Sequence, residues 1–207
     1  MKVIIIGAGS CATIVADILL QDRNFKLCGF IGIPQEEKQH LGEEIYGNVP
    51  FLGTHDILDH LKNDNIFGFV AAIKNNALRE KAYYRAMRAG LIPINVISPH
   101  AVLDPSAVLG KGVVLSAGCI VSHGVSIGDN TILNPTTVIG IRSRIEDHCF
   151  FSTGTIVEGR CHIMKNVFCG VRSTLLAGLT IGKNQHIEFG SIVKESLQNI
   201  ARSQFEV

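Results

Sequence analysis

From Ile97 to Val193 an aliphatic or near-aliphatic residue returns every six positions, with no insertion or deletion, through seventeen hexads. The register passes through Ile97, Leu103, Leu115, Ile127, Ile139, Phe151, Ile163, Cys169, Ile181 and Val193. Four positions further on the residue is mostly small or thin, as in Ala101, Ala107, Cys119, Thr131, Thr137, Ser143, Thr155, Cys161 and Ser173. A period of six fits neither a helix face nor a two-residue alternation, so the unit is supersecondary: a short strand and a bend. One aliphatic side chain of each hexad points inward and the thin residue lets the chain turn. Three hexads close a coil, and equivalent residues stack eighteen positions apart at the strand spacing of about 4.8 Å. The pattern predicts a parallel β-helix.

The first 96 residues follow another rule. Lys2 to Ile6 reads as a buried strand, Gly7-Ala8-Gly9-Ser10-Cys11-Ala12 as a glycine turn, and Thr13 to Leu20 as a helix with apolar positions at Ile14, Val15, Ile18 and Leu19. Strands are expected at Phe25 to Ile31, Ile66 to Ile73 and Ile92 to Val96, with helices at Asp56 to Leu61 and Ala77 to Ala89. Such alternation makes a small Rossmann-like parallel α/β layer. The expected organisation is thus an α/β domain over 1–96, a β-helix over 97–195 and a tail over 196–207.

The GxGxxA turn feeds a helix N-terminus, where an anion is welcome. The acidic residue that would grip a ribose after the second strand is absent, since Phe30-Ile31-Gly32-Ile33 stands there, and this argues against a nicotinamide cofactor. Either a plain tight turn or a seat for an acceptor's phosphate remains. With 46% hydrophobic and 18% charged residues and a net charge of +1, nothing points to nucleic acid or to a membrane surface. Val3 to Ile6 is too short for a membrane span. The six cysteines show no CxxC or Cys/His ligand spacing, so we expect no metal and read them as small apolar fillers in a reducing, cytoplasmic compartment.

Gly7-Ala8-Gly9 with Val15-Ala16-Asp17-Ile18-Leu19, then Val49-Pro50-Phe51-Leu52-Gly53, Pro105-Ser106-Ala107-Val108 and Leu175 to Gly182 resemble the bacterial sugar acyltransferases of the sialic acid O-acetyltransferase and bacillosamine N-acetyltransferase type. The resemblance spans roughly residues 1 to 195. It implies a left-handed β-helix, although parallel crossovers in general prefer the right hand. It also implies a homotrimer with sites between neighbouring prisms, and transfer of an acetyl group from acetyl-CoA to a hydroxyl or amine of a sugar or nucleotide-linked sugar in surface glycan synthesis. On this reading Gly7, Gly9, Ser10 and Asn134 face the acceptor, and Gly159, Gly170, Gly178 and Gly182 leave room for the CoA arm along the later coils.

The family's general base is a histidine at the third position of a hexad. Here the register places Ile141 there, in Val138-Ile139-Gly140-Ile141-Arg142, while His123 holds the same column one coil earlier. His123 is therefore the candidate catalytic base, with an exposed histidine of no chemical role and an acceptor-contacting residue as the other readings. Phe150 stands where some relatives carry a second histidine, His148 lies on another corner, Lys74 replaces a glycine before Asn75-Asn76, and the chain lacks the usual Gly-Val-Pro-Ala ending. Besides an acyl-CoA-dependent transferase, the sequence admits a trimeric scaffold that has lost catalysis, or a relative with another donor or acceptor.

Overall fold

The computed structural model describes residues 1–32 and 44–198. Strand β1 (Lys2–Ile6) sits centrally, flanked by β2 (Lys26–Gly32) and β5 (Ile66–Ala71), both parallel to it. The sheet is completed by β3 (Glu44–Tyr46), β4 (Val49–Thr54) and β6 (Ile92–Pro93), in the order β3-β4-β2-β1-β5-β6. Helix α1 (Ser10–Gln21) buries Val15, Ala16, Ile18 and Leu19 on one face of the sheet. Helix α2 (Asn76–Arg88) and a 3-10 helix over His55–Asp64 cover the other. The hairpin of β3 and β4 was not expected from the sequence, although Gly47-Asn48 between them is a hairpin signal.

Seventeen two-residue strands follow, β7 (Val96–Ile97) to β23 (Ile192–Val193), and the second residue of each is the aliphatic residue of the hexad register. They stack into three parallel sheets, and equivalent strands lie eighteen residues apart, as in Val114↔Ile132 and Ile132↔Phe150. This is a left-handed parallel β-helix with three faces. The first face carries Val114, Ile132, Phe150 and Phe168 outward, the second Val102, Ile120, Val138 and Ile156, the third Val108, Ser126, Arg144 and His162.

Thin residues next to each strand also face inward, and their polar atoms serve the coil. Thr137 Oγ1 donates to the Asn134 carbonyl at 2.8 Å, Thr155 Oγ1 to Ser152 at 2.7 Å and Ser143 Oγ to Glu158 at 2.9 Å. Cys149 and Cys161 do the same through sulfur, each at 3.1 Å. A buried hydroxyl or thiol thus satisfies a carbonyl that a corner leaves without a ladder partner. All six cysteines are free, and burial pushes the Cys149 thiol up to about 12, which keeps it inert.

The α/β layer packs on the first face, where Val114, Ile132 and Phe150 join the core formed by Val3, Ile5 and Val15. At the other end, Leu197 returns to the third face, its N–H donating to Thr180 and its carbonyl accepting from Gly182. Beyond Gln198 the expected tail lies outside the described residues.

Candidate functional site at the domain junction

A cavity of about 170 Å³ opens where the glycine turn meets the first face. Ser10, Cys11 and Ile14 of α1 form one wall, Lys74 another, and Asn134, Phe150, Ser152, Thr153 and Val171 the floor. The fold therefore brings together two residues expected to face an acceptor, Ser10 and Asn134, that are far apart in sequence. Gly9 caps α1 with no side-chain hydrogen bond; the Ala12 amide donates to the Gly9 carbonyl at 2.8 Å, and the Ser10 and Cys11 amides, at the cavity wall, have no partner among the described residues. A Cβ on Gly9 would meet nothing within 4 Å. Gly7 has a structural cause instead: its φ is +121°, and a Cβ there would stand 2.7 Å from the Ala72 carbonyl oxygen. Burial pushes the Cys11 thiol up to about 11, so the cavity holds no ready thiolate nucleophile.

His123 stands elsewhere, on the second corner, between the second and third faces. Ser106 Oγ donates to Asp104 Oδ1 at 2.5 Å and accepts from the Gly124 amide at 2.9 Å. His123 Nδ1 lies 2.8 Å from the same hydroxyl and 3.5 Å from Asp104 Oδ1. With the Ser106 proton committed to Asp104, Nδ1 is the donor and the lone pair falls on Nε2. Hydrogen bonds from Ser106 hold Asp104 below the ordinary carboxylate range. The imidazole is 64% exposed, so Nε2 is accessible to an incoming group. One coil on, Ile141 projects from the same column, 48% exposed, and carries no group able to take a proton.

His148 is fully buried on the third corner, between the third and first faces. Its Nδ1 pairs with Asn130 Nδ2 at 2.8 Å, and its Nε2 faces Tyr84 OH at 3.3 Å and Glu80 Oε1 at 3.6 Å. Burial holds this imidazole below its ordinary value despite Glu80 nearby. The surrounding interface centres on Arg79, fully buried in α2, which sequence reading missed. Its guanidinium donates to the carbonyls of Ile73 (2.7 Å), Asn130 (3.2 Å), His148 (2.7 Å) and Cys149 (3.1 Å). His148 is thus a joint between domains and offers no base to a substrate.

The four glycines expected along a CoA arm do not share one corner. Gly159 and Gly178 belong to the second corner, Gly170 to the first and Gly182 to the third. Gly170 is not open: a Cβ there would clash with the Phe189 ring and stand 2.7 Å from its backbone nitrogen. Gly159 lies under Ile141, whose Cγ1 a Cβ would meet at 3.0 Å. Gly182 donates its amide to Leu197 at 2.6 Å. Gly178, with φ +76°, faces open space.

The model of the PglD N-terminal domain matches residues 2–86. No curated protein sequence matches the chain. Among solved structures, a histidine-to-asparagine variant of perosamine N-acetyltransferase from Caulobacter crescentus, in complex with CoA and GDP-perosamine, is 27% identical with a TM-score of 0.88, covering 96% of this chain and 90% of that one. PerB from the same organism, also with CoA and GDP-perosamine, is 26% identical over 97% of this chain and 92% of that one, with a TM-score of 0.88. The acetyltransferase domain of PglB from Neisseria gonorrhoeae shares the fold at 21% identity and a TM-score of 0.83, covering 95% and 92%.

Proposed function

We infer, from the match of its first domain to the PglD N-terminal domain and its likeness to perosamine N-acetyltransferase over nearly its whole length, that the chain is a hexapeptide-repeat sugar acyltransferase and moves an acyl group, acetyl in the simplest case, from acyl-CoA to a hydroxyl or amine of a sugar or nucleotide-linked sugar. One observation carries this reading above the rest. A glycine-turn α/β layer and a β-helix enclose a cavity between Ser10 and Asn134, in an architecture that matches, over nearly its whole length, an N-acetyltransferase holding CoA and a nucleotide sugar. Surface glycan synthesis in the cytoplasm is the setting this chemistry fits.

Our mechanism needs no acyl-enzyme. The acceptor nitrogen or oxygen attacks the thioester carbonyl while a base removes its proton; the tetrahedral intermediate then collapses and the thiolate of CoA leaves, taking a proton. His123 Nε2 is our candidate base, its ring set by Ser106 and Asp104 through Nδ1. The free amides at the start of α1 suit the acceptor's phosphate. On the donor side Gly178, open on the second corner, is the place where the CoA arm lies closest to the backbone, and Gly159 flanks it.

Assembly follows from the second face. It presents Val102, Ile120, Val138, Ile156, Thr174 and Ile192 outward, four of them at least 40% exposed, in a stripe along the prism. A contiguous β-branched stripe of this kind asks for cover, and a homotrimer supplies it with closed symmetry. Thermal-shift titration with acetyl-CoA and nucleotide sugars, followed by a thiol-release assay, tests the proposal. Stabilisation by acetyl-CoA together with CoA release on adding the acceptor is the expected result. A chain that binds neither donor nor any nucleotide sugar is no transferase.

A further inference from the structure

We propose that Lys74 is the residue that binds an anionic oxygen of the acceptor and so selects which sugar is acylated. The inference rests on the transferase reading above. Lys74 lines the 170 Å³ cavity beside Ser10 and Asn134, and also a second cavity of about 530 Å³ with Asn75, Asn184, Gln185 and His186. Lys74 is the residue these two linings have in common, and its ammonium, near the Phe168 and Phe189 rings, stands at the wall of the larger one.

The charge there is held but not neutralised. Lys74 Nζ lies 5.6 Å from the centre of the Phe168 ring and 5.9 Å from that of Phe189. Aromatic faces attract a cation without cancelling it, so its N–H groups stay able to donate. Among the described residues no carboxylate pairs with it, whereas Lys165 on the same side of the molecule is closed off by Glu80 at 3.0 Å. The aromatic wall is rigid: Phe150, Phe168 and His186 stack coil upon coil, with centres 5.4 and 4.6 Å apart. The backbone that carries Lys74 is fixed as well. Its carbonyl accepts from Arg79, and Asn75 caps α2 by accepting from the Leu78 amide at 3.0 Å.

A preorganised, unneutralised cation in the wall of such a cavity suits an anionic oxygen of the acceptor. The anionic oxygen comes from one of two sources: the diphosphate of a nucleotide-linked sugar, or the carboxylate of an acidic sugar. Both make the same charge-assisted hydrogen bond.

Calorimetric titration separates them. Uridine and guanosine diphosphates form one arm and glucuronate the other, each at low and high salt, against the full chain and its Lys74→Gln and Lys74→Arg variants. The expected result is binding in one arm, weakened about tenfold or more by Lys74→Gln with loss of the salt dependence, and kept within about threefold by Lys74→Arg. A merely structural role would not move the salt dependence, and the exposed side chain leaves the melting temperature unchanged. Equal affinity of Lys74→Gln and the parent chain in both arms, or no binding by the parent chain in either, overturns the proposal. Acetyl-CoA titrated in parallel isolates the other possibility: its failure to bind the parent chain overturns the transferase reading, while the anion contact of Lys74 stands or falls on the two arms alone.

Discussion

Arg79→Met should cost the molecule about 3 to 5 kcal/mol and uncouple its two domains. Burial pulls the guanidinium down to about 10, so at about 1.4 kcal/mol per unit the charge is kept at a cost of about 3 kcal/mol. Hydrogen bonds from a charged donor contribute about 1.5 to 3 kcal/mol each, and the two at 2.7 Å, to Ile73 and His148, alone offset that cost. Methionine fills the space and removes the donors. The carbonyls of Ile73, Asn130 and His148 stay where they were, buried and stripped of this partner, at about 1 to 3 kcal/mol each. Swapping a buried charge for an apolar group is often neutral because both partners go; here only one does. Urea unfolding followed in parallel by intrinsic tyrosine fluorescence, whose three sources Tyr46, Tyr83 and Tyr84 all lie in the α/β layer, and by hydrogen exchange of the β-helix amides gives the readout. The parent chain should show coincident transitions, and Arg79→Met an earlier one for the α/β layer. A loss below about 1 kcal/mol with coincident transitions would refute the claim that this guanidinium joins the domains.

Three other outcomes are expected. His123→Ala should lower acyl transfer about 10² or more with the fold intact, and Asp104→Asn by less, because the imidazole keeps its Ser106 contact; undiminished turnover in both would move the base elsewhere. Ile156→Lys, in the outward stripe of the second face, should shift light scattering from trimer to monomer, and an unchanged mass would leave the stripe without its assigned cover. Because burial depresses the His148 pKa, the unfolded chain binds a proton that the folded chain refuses, so stability is full above the ordinary imidazole value and falls as pH drops from about 7 to about 5; Glu80, with Asp147, opposes the shift while Arg79 and Lys165 reinforce it, and a His148→Gln chain with the same pH slope would rule it out.

The β-helix was legible residue by residue because its physics repeats. One side chain per hexad must point inward, and Ile97 to Val193 keep that register through every strand. The α/β layer was legible as alternation, with helix ends misplaced by a few residues and one hairpin overlooked, since Tyr46-Gly47-Asn48-Val49 signals a turn but sits beside short, half-polar strands. The site was harder. Arg79 in a helix of Arg, Glu and Lys reads as a surface residue, and only docking on the third corner buries it. The four glycines expected along the CoA arm differ in their surroundings for a different reason. Their positions in the eighteen-residue coil already place Gly170 and Gly182 on corners other than that of Gly159 and Gly178, so the signal was present in the spacing.

The same spacing separates His123 from the acceptor cavity. Asn134 stands on the first corner and His123 on the second, with the second face of a rigid prism between them, and no rotamer change closes that gap within one protomer. If both touch the acceptor, the site is built by two protomers, with the second corner of one set against the first corner of its neighbour. Mixed assemblies distinguish this from a site within one chain. His123→Ala and Asn134→Ala should each be inactive alone. The second should fold, because the Phe151 carbonyl that loses the Asn134 side chain keeps the Asn134 backbone amide at 2.9 Å. In trimers refolded from equal parts of the two, about a quarter of the interfaces pair an intact His123 with an intact Asn134 across the boundary. Activity should return to about a quarter of the parent value, and a mixture as inactive as its components would place the whole site within a single protomer or the base at another residue.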